Sequence, residues 1–497
     1  MFLQAQERHR KKISLIQKEL KRLLPENSPL HRKRHSSLQS HMTSLFQPSS
    51  KKATVDFQNL KEIIEIDPIQ KIVWTEPGVT MEKLCKYTLK HGLIPSVVPE
   101  FKGITVGGAI MGSALESSSF KHGQFGDICE EYELLLGNGE LAIVDAQKEP
   151  ALFYGISGSY GTIAHIASAK IRLKPSKKFV KIHYDVFSPS HNMQTVWNSF
   201  RQREYPPEYL DAAILEDEKI IVMSATPLSR EQLPSNTFIK RFSRPWSPWF
   251  CQNIVENAKL FSLSKNETTD CLPLYDYLFR YDRAAFWMGQ YITSKPALWR
   301  YLLEWFLSSP KLSQTLCKSF RSSPPSLTPK FLFRLLFGWK LSSRKLYRIL
   351  HKLPEETLSS TFILQDFYIP TEKTHAFLSH IKKLVRIFPI WLCPVKGSAT
   401  SQFLSPHYLK DKKNETIPEF TNVGIYGTPQ EQKDIPRTAK ELENLAKSLG
   451  GRKMLYSKNS YSEKEFWEIY DKKRYEKLRQ KYHSEERFLD LYARTHP

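Results

Sequence analysis

The sequence lacks the patterns that mark several large classes of protein. No stretch approaches the roughly 18 uninterrupted apolar residues of a membrane span, and the basic N-terminus lacks the apolar run of a signal peptide. The six cysteines are scattered without a C-x-x-C pair, which argues against a disulfide framework or a structural zinc site. We therefore expect reduced thiols, no bound metal, no transmembrane helix and a cytoplasmic location.

What the chain does have is length and a strong positive charge. Its 497 residues exceed what one hydrophobic core supports, so two or three domains are expected. The net charge of +22 would favour binding to a polyanion. Because the basic residues are spread along the chain and no nucleic-acid motif accompanies them, we expect no nucleic-acid partner. A general effect on solubility is the preferred interpretation, and a functional anionic partner is the alternative.

The N-terminal segment has the periodicity of an amphipathic helix. Ile13, Ile16, Leu20, Leu23 and Leu24 fall on a single stripe. We expect this stripe to pack on its own domain. A peripheral contact with a membrane surface is the alternative here, as it is for the aromatic segments at 298–307 and 331–339.

Residues 55–175 alternate short strands and helices. Thr80 has the position of a helix N-cap, and Gly92 follows the end of the same helix. From Tyr132 to Val144, alternating apolar residues flank an Asn-Gly pair at 138–139, which is the pattern of a β-hairpin. These features predict an α+β domain that ends near residue 175.

A second unit begins near residue 179. Strands at 181–187, 210–215 and 220–225, with a helix around 193–203, suit a sheet that helices cover on one face. Residues 240–350 are aromatic, basic and predicted to be helical. Near the C-terminus, Ser462 and Glu465 form the pattern of a capping box at the start of a helix.

The glycine-rich stretch from Gly103 to Gly112 is the first candidate for chemistry. Its sequence, G-I-T-V-G-G-A-I-M-G, is neither G-x-G-x-x-G nor a P-loop. Glycine lets the backbone adopt positive φ and approach a ligand closely, and successive N–H groups can form a nest for a diphosphate. Taken alone, the stretch fits such a nest and a tight turn between packed elements equally well.

The residues that follow decide between these alternatives. Glu116-Ser117-Ser118-Ser119, Lys121-His122-Gly123 and a Gly-Ser-Tyr-Gly-Thr-Ile run at 158–163 come in order. This order resembles the PCMH-type FAD-binding domain of the vanillyl-alcohol oxidase superfamily. The closer resemblance is to the Δ24-sterol reductases, the family of 24-dehydrocholesterol reductase, whose T-V-G-G-x-I-M-G-x-x-x-E-S-S-S-x-K-x-G signature is matched from Thr105 to Gly123. Blocks at 389–394, 424–427 and 465–467 extend it along most of the chain.

The resemblance implies an α+β fold with three parts. These are a two-subdomain PCMH-type FAD-binding domain at 1–178, an α+β cap or substrate domain with an antiparallel sheet and helices at 179–400, and a C-terminal segment at 401–497 that packs back near the flavin. The implied activity is transfer of hydride from NADPH through non-covalent FAD to a carbon–carbon double bond of a small apolar, sterol- or isoprenoid-like substrate. The implied FAD contacts are Thr105, Val106, Gly107, Gly108, Ala109, Ile110, Met111, Gly112, Ser113, Ala114, Leu115, Glu116, Ser117, Gly161, Thr162 and Ile163.

Two departures from the family pattern bear on this expectation. The superfamily places a glycine-rich loop where this chain has Arg32 to Ser37, so close backbone approach is reduced there, although the positive charge could neutralise phosphate. The N-terminal membrane anchor of animal and plant members is also missing, which weakens the case for a membrane-embedded sterol.

Alkene reduction needs a proton donor near the substrate. The densest cluster of suitable side chains lies at 275–283 and supplies Tyr275, Arg280 and Arg283 as predicted catalytic residues, with Lys396 as a fourth. Other candidates are Tyr277, Tyr281, Tyr426 and Tyr461, while Glu116 is expected to accept hydrogen bonds from loop amides. The alternative for the cluster is a helix with solvated charges and tyrosines packed on a core.

Two other functions stay open on the sequence. The first keeps the flavin but reverses the direction, giving an FAD-dependent alcohol oxidase or dehydrogenase. The second is a non-enzymatic basic scaffold that retains the flavin fold, for which the net charge of +22 and the altered loop at Arg32 to Ser37 are the support.

Overall fold

Two antiparallel sheets organise the chain, one formed before residue 176 and one after it. The computed structural model describes residues 2–23, 31–33, 54–264, 268–290, 338, 341–350, 360–398, 402–408, 419–429, 434–485 and 487–496. The basic loop at 32–37 lies outside these ranges from residue 34 onward, and so do Leu24 and the aromatic segments at 298–307 and 331–339, residue 338 excepted.

The first sheet contains six strands. They are β3 (Ile63–Asp67), β4 (Ile72–Thr75), β5 (Leu93–Pro95), β6 (Cys129–Leu135), β7 (Leu141–Asp145) and β8 (His165–Pro175). Their spatial order is β3-β4-β8-β6-β7, and β5 pairs with the far end of β8. A separate parallel pair joins β1 (His31–Lys33) to β2 (Thr54–Asp56). The helices of this part are α1 (Phe2–Arg22), α2 (Met81–Thr88), α3 (Val106–Met111), α4 (Ser119–His122) and α5 (Pro150–Ile156).

Local signals in this part of the sequence are confirmed. The Thr80 side chain accepts a hydrogen bond from the Lys83 amide at the start of α2, and Gly92 adopts a φ of +69° just past its end. The predicted hairpin joins β6 to β7, where Gly139 adopts a φ of +80° and the Asn138 side chain accepts from the Glu140 amide at 3.0 Å. Glycine is favoured at both positions because it adopts a positive φ without steric cost.

The apolar stripe of α1 is buried against the first sheet. Ile13, Ile16 and Leu20 pack with Leu135 of β6 and with other residues of the same part of the chain. The prediction that the stripe packs on its own domain is therefore confirmed. Of the described residues, no helix is both long enough and apolar enough to cross a membrane.

The second sheet contains eight strands, and each neighbouring pair is antiparallel. They are β9 (Phe179–Phe187), β10 (Tyr209–Ile214), β11 (Ile220–Leu228), β12 (Thr268–Pro273), β13 (Ile363–Pro370), β14 (Ile390–Lys396), β15 (Glu419–Gly427) and β16 (Arg452–Lys453). Their spatial order is β12-β9-β11-β10-β14-β15-β13-β16.

Helices cover one face of this sheet, as the sequence predicted. Those of the second part are α6 (Met193–Arg201), α7 (Phe250–Ser264), α8 (Leu274–Leu278), α9 (Ser343–Leu350), α10 (Thr374–Leu384) and α11 (Ile435–Ser448), followed by α12 (Glu463–Ile469), α13 (Lys472–Lys481) and α14 (Leu491–Thr495). Trp197 of α6, Phe377 of α10 and Leu442 of α11 share a core with one face of β10, β13, β14 and β15. Successive strand residues point to opposite faces, so Trp391 and Tyr426 face the first part of the chain.

The sheets bear on the predicted division of the chain. The boundary at 178/179 falls between β8 and β9. The boundary at 400/401 divides the second sheet, because β15 lies between β14 and β13 and β16 pairs with β13. All eight residues of β13 are buried, and the backbone groups of such a strand need partners on both sides. Residues up to 453 therefore contribute to the sheet of the middle unit, and the segment after it is helical.

The region predicted as helical from 240 to 350 also differs in part. After α7, the chain forms the edge strand β12, which pairs with β9. Helix α8 then ends at Leu278, and residues 279–287 form turns around a single β-bridge at Arg283, with positive φ angles at Ala284, Ala285 and Phe286. The interpretation of residues 275–283 as one helix is therefore wrong.

Candidate functional site

A pocket lies between the glycine-rich stretch and the inward face of the second sheet. Gly108 and Gly112 lie on one side of it, and Trp391 and Tyr426 lie on the other. The cavity volume is about 70 Å³, and the pocket is partly open to solvent. Most of its wall is aromatic or aliphatic, which is typical of a site for a flat ligand. This pocket is the candidate functional site.

The glycines of the stretch differ in what a side chain at each position would contact. A Cβ on Gly107 would lie 2.8 Å from the Cβ of Pro77, so Gly107 serves the packing of α3 against the segment after β4. A Cβ on Gly108 would meet only the Oγ1 of Thr105, at 3.1 Å, and Gly108 lines the pocket. The close backbone approach that the sequence suggested is therefore available at Gly108.

The amides of the same stretch are already engaged. The Val106 amide donates to the Val79 carbonyl and the Gly107 amide to the Pro77 carbonyl, both at 2.9 Å. The Gly108 amide donates to the hydroxyl of Thr105, the N-cap of α3. The expected nest of successive free amides is absent at these three positions, because they anchor α3 instead. Gly108 therefore leaves space for a ligand, but its amide is not available as a hydrogen-bond donor to that ligand.

The second predicted cofactor segment lies beside the first. The Tyr160 amide donates to the Met111 carbonyl at the end of α3, which brings the turn at Gly161 to the glycine-rich stretch. Thr162 donates its hydroxyl to the Ser159 carbonyl at 2.7 Å, and its own carbonyl accepts from Arg479 at 2.9 Å. The fold thus brings together the two stretches that the sequence analysis assigned to FAD.

Arg280, a predicted catalytic residue, occupies a buried ion cluster. Its Nη2 atom lies 3.0 Å from a carboxylate oxygen of Asp211 and 3.0 Å from one of Glu116. Tyr281 and Trp391 donate to the same oxygen of Asp211, at 2.8 and 3.1 Å. Burial lowers the pKa of the Arg280 guanidinium, but the negative charges of Asp211 and Glu116 have the larger effect and raise this pKa above its ordinary value. Arg280 therefore stays cationic and ties β10 to the loop after α3.

Glu116 behaves as the sequence analysis expected. Its carboxylate accepts from the Ser117 amide, so it is an acceptor for its own loop as well as a partner of Arg280. Ser117 in turn bonds to the Tyr277 hydroxyl at 3.1 Å. The cluster thereby fixes the end of the glycine-rich segment against the second part of the chain.

The other predicted catalytic residues lie apart from the pocket. Tyr275 donates to Glu82 of α2 at 2.9 Å. The Arg283 guanidinium donates to a set of backbone carbonyls at 242–248, so it holds a loop. Lys396 is exposed at the end of β14. The described lining of the pocket includes none of the four predicted catalytic residues. Three of them were grouped because they lie close together in the chain, and the fold directs their side chains to different partners.

Of the further tyrosine candidates, Tyr426 lies in the pocket wall and Tyr461 does not. The Tyr461 hydroxyl donates to the Glu443 carbonyl in α11. The Tyr426 hydroxyl donates to Asp366 at 2.7 Å, passing over Gly424 on the same strand. A Cβ on Gly424 would collide with that hydroxyl, which accounts for a glycine inside a buried strand.

Two acidic residues of the pocket were missed in the sequence. Asp366 of β13 accepts from Asn422, Tyr426 and Tyr456, each at 2.7 Å. Burial raises the pKa of its carboxyl, against the effect of these three donors. A polar pair inside the apolar strand at 363–370 is the signal that could have pointed to it.

The second missed acid is Glu100, in the loop between β5 and α3. It keeps some accessible surface because it lines the pocket. Burial raises the pKa of its carboxyl to about 8, and the negative charges of Glu116 and Asp366 add to this shift. Its signal in the sequence is a single acid that follows the apolar residues Val-Val-Pro at 97–99 and precedes Gly103.

Comparison with known proteins identifies the first part of the chain. Residues 33–145 match the family described as FAD binding domain, which includes Thr105 to Ser117. Over 439 residues the chain is 29% identical to the Delta(24)-sterol reductase of Homo sapiens, covering 87% of this chain and 76% of that protein. The protein is a relative of the Δ24-sterol reductases.

Other relatives show the same extent of similarity. The Delta(24)-sterol reductase homolog of Caenorhabditis elegans is 28% identical over 90% of this chain and 79% of its own length. The enzyme of Arabidopsis thaliana is 25% identical over 89% of this chain and 76% of its own. The similarity therefore includes the second sheet as well as the FAD binding domain. This Δ24-sterol reductase relative is an FAD-binding oxidoreductase with the α+β architecture that the sequence predicted.

The residue types that line the pocket are compatible with FAD. Gly108 leaves its backbone face open toward the space, and the two segments assigned to the cofactor lie against each other. The aromatic wall formed by residues such as Phe286 and Trp391 suits a flat ring system. The residues present thus fit the cofactor that the family match names.

Proposed function

We propose that the protein is an FAD-dependent reductase that passes hydride from NADPH to a carbon–carbon double bond of a flat, apolar, sterol-like substrate. The observation that carries this proposal is the aromatic pocket, which places the inward face of the second sheet directly opposite Gly108 and Gly112. Similarity to Δ24-sterol reductases along 87% of the chain supports the same substrate class.

In this proposal the first part of the chain binds the cofactor and the second sheet binds the substrate. Residues 105–117 and 161–163 would hold FAD, which supplies hydride chemistry at its ring when bound. Trp391 and Tyr426, on the second sheet, would form the wall against which the substrate lies. These large side chains exclude water, which prevents loss of the hydride to side reactions.

One polar network in the apolar wall would orient the substrate. Asp366 holds the hydroxyls of Tyr426 and Tyr456, both of which line the pocket. Sites for apolar ligands commonly use such a small number of placed polar groups to fix orientation. We expect this network to contact whichever polar group the substrate carries.

The test begins with the absorption spectrum of the purified full chain. We expect a yellow protein that NADPH bleaches under anaerobic conditions. A sterol with a double bond at carbon 24, presented in detergent micelles, should then restore the colour, whereas the same sterol with a saturated side chain should not. A protein that stays colourless after incubation with FAD would refute the proposal.

The same experiment distinguishes the reversed activity. An FAD-dependent alcohol oxidase or dehydrogenase would be reduced by an alcohol, would ignore NADPH and would be reoxidised rapidly by air. Cytokinin dehydrogenase 10 of Oryza sativa subsp. japonica is 34% identical, but over only 107 residues and 22% of this chain. That similarity does not extend to the second sheet as a whole, so the reductase is the proposal we favour.

A further inference from the structure

Glu100 lies on the pocket wall beside the residues assigned to the cofactor. The loop that carries it is fixed by its neighbour Phe101, whose ring packs edge-on against Phe286 at 5.7 Å and against Tyr347 at 6.0 Å between centroids. All three of these aromatic residues line the same pocket. The position of the Glu100 carboxyl is therefore set by packing between both parts of the chain.

The surroundings of Glu100 favour a neutral carboxyl. Burial raises the pKa of Glu100 to about 8, and the positive charge of Arg280 offsets only part of this shift. Arg280 lies 3.0 Å from Asp211 and 3.0 Å from Glu116, so its charge is already committed to two carboxylates. Within the described ranges, no basic side chain forms an ion pair with Glu100. We therefore expect its carboxyl to carry a proton at pH 7.

The other acids near the pocket are placed differently. Asp366 accepts three hydrogen bonds, and each of them stabilises its carboxylate form over the acid. Glu116 bonds to Ser117 and Arg280 and is absent from the described lining of the pocket. The tyrosines of the wall are poor acids, since burial raises the pKa of Tyr426 well above its usual value.

We propose that the Glu100 carboxyl is the catalytic acid of this protein, which rests on the alkene reduction proposed above. One carbon of the double bond would receive a hydride, with its electron pair, that NADPH donates and that FAD, held by residues 105–117 and 161–163, would supply when bound. The other carbon takes the proton of Glu100, so the π bond is replaced by two C–H bonds and Glu100 is left as a carboxylate. It regains a proton from water at the mouth of the pocket, and the cycle closes with NADP⁺ and the saturated product.

The first test separates the two halves of the reaction in a Glu100→Gln variant. Glutamine keeps the shape of the side chain and removes the acid. We expect normal FAD content and normal bleaching by NADPH, but reoxidation by the sterol with a double bond at carbon 24 should slow by roughly 100-fold or more. Glu140→Gln, an exposed change in the hairpin turn, is the matched control and should behave as wild type.

The pH dependence supplies a second readout. Because the acid form is the active one, the rate of reoxidation by the sterol in the wild type should fall as the pH rises above about 8. The wild-type apoprotein should show the infrared carbonyl stretch of a protonated carboxyl at pH 7, which is lost through the same pH range and is missing in Glu100→Gln. This measurement requires neither FAD nor substrate.

The outcomes separate this role from the proposed function. If wild type and Glu100→Gln reduce the sterol at similar rates, Glu100 is not the acid, while the reductase proposal stands. If the wild type is bleached by NADPH but reduces no alkene, the proposed function fails and the role fails with it. If Glu100→Gln does not bind FAD, Glu100→Asp decides: a slower rate with a shifted pH profile supports the role, and an unchanged rate and profile overturns it.

Discussion

The Nδ1 atom of His9 lies 2.8 Å from the buried Oε1 of Glu76, which joins helix α1 to the first sheet. The other ring nitrogen lies 2.8 Å from Glu133 of β6. Burial disfavours the charged imidazole, but the hydrogen bonds and charges of Glu133 and Glu76 outweigh it and raise the pKa of His9 above its ordinary 6.5. A protonated His9 can donate to both carboxylates at once, whereas a neutral ring can donate to only one.

His9 should make stability depend on pH. Since its pKa is raised in the folded state, its contribution is fully present below about pH 6.5 and is lost as the pH rises through the folded value. We expect His9→Ala to lower the free energy of unfolding by about 3 kcal/mol at pH 6 and by less at pH 9. Urea denaturation of both proteins across this range measures the difference.

An exposed histidine provides the control for this pH series. His375 lies on the outer surface of α10, and His375→Ala should track the wild type at every pH. A His9→Ala difference that stays constant from pH 6 to pH 9 would show that folding does not raise the pKa of His9.

Gly107 and Gly108 should respond differently to the same substitution. Gly107→Ala places a methyl group 2.8 Å from the Pro77 Cβ, so we expect it to destabilise the apoprotein by about 1–3 kcal/mol. Gly108→Ala meets only the Thr105 hydroxyl, and alanine is favoured by about 1 kcal/mol in a helix, so the apoprotein should stay as stable as wild type. Its methyl group enters the pocket, and FAD affinity should fall at least about tenfold, the equivalent of 1.4 kcal/mol.

Thermal melts of the apoproteins and titration of FAD by fluorescence quenching measure the two effects separately. Equal FAD affinities for Gly108→Ala and the wild type would mean that the cofactor does not approach the backbone at this position.

The difference between these glycines shows what the sequence could supply. Thr80, the Asn138-Gly139 turn and the Ser462 capping box were predicted correctly because each depends on residues adjacent in the chain. The glycine-rich stretch was recognised as a unit through the family signature. The different roles of its individual glycines were not predicted, because only the position of Pro77 in the folded chain shows which glycine is required for packing.

The chemistry of the pocket was harder to predict for the same reason. Arg280 was chosen for its charge, but its partner Asp211 lies 69 positions earlier in the chain, and that contact converts it into a structural cation. Asp366 and Glu100 carry no motif of their own. They become notable only when the second sheet packs over the loop before α3, which reduces the access of water to both carboxyls.

Arg280 should therefore contribute to folding more than to hydride transfer. Arg280→Met leaves Asp211 and Glu116 buried without their cation, and we expect a loss of about 3–5 kcal/mol in the free energy of unfolding. Adding Asp211→Asn removes one uncompensated charge and should restore part of that loss. Guanidinium denaturation of the single and double variants gives the coupling between the two residues.

The matched comparison is Tyr275→Phe, at a residue that was also predicted to be catalytic. Its hydroxyl bonds to Glu82, which is partly exposed, so we expect stability within about 1 kcal/mol of the wild type and unchanged reduction of the sterol. If Arg280→Met folds normally but loses activity, the arginine acts in the reaction and its structural role is refuted.

Tyr456 should influence substrate binding through the network at Asp366. Its hydroxyl lines the pocket and donates to Asp366 at 2.7 Å, so Tyr456→Phe removes one of the placed polar groups of the wall. We expect KM for the sterol to rise several-fold, by the equivalent of about 1 kcal/mol, with bleaching by NADPH unchanged. Tyr461→Phe is the control, because that hydroxyl bonds to the Glu443 carbonyl away from the pocket and its loss should lower only stability. Equal KM values for the two variants and the wild type would show that the substrate does not reach the network at Asp366.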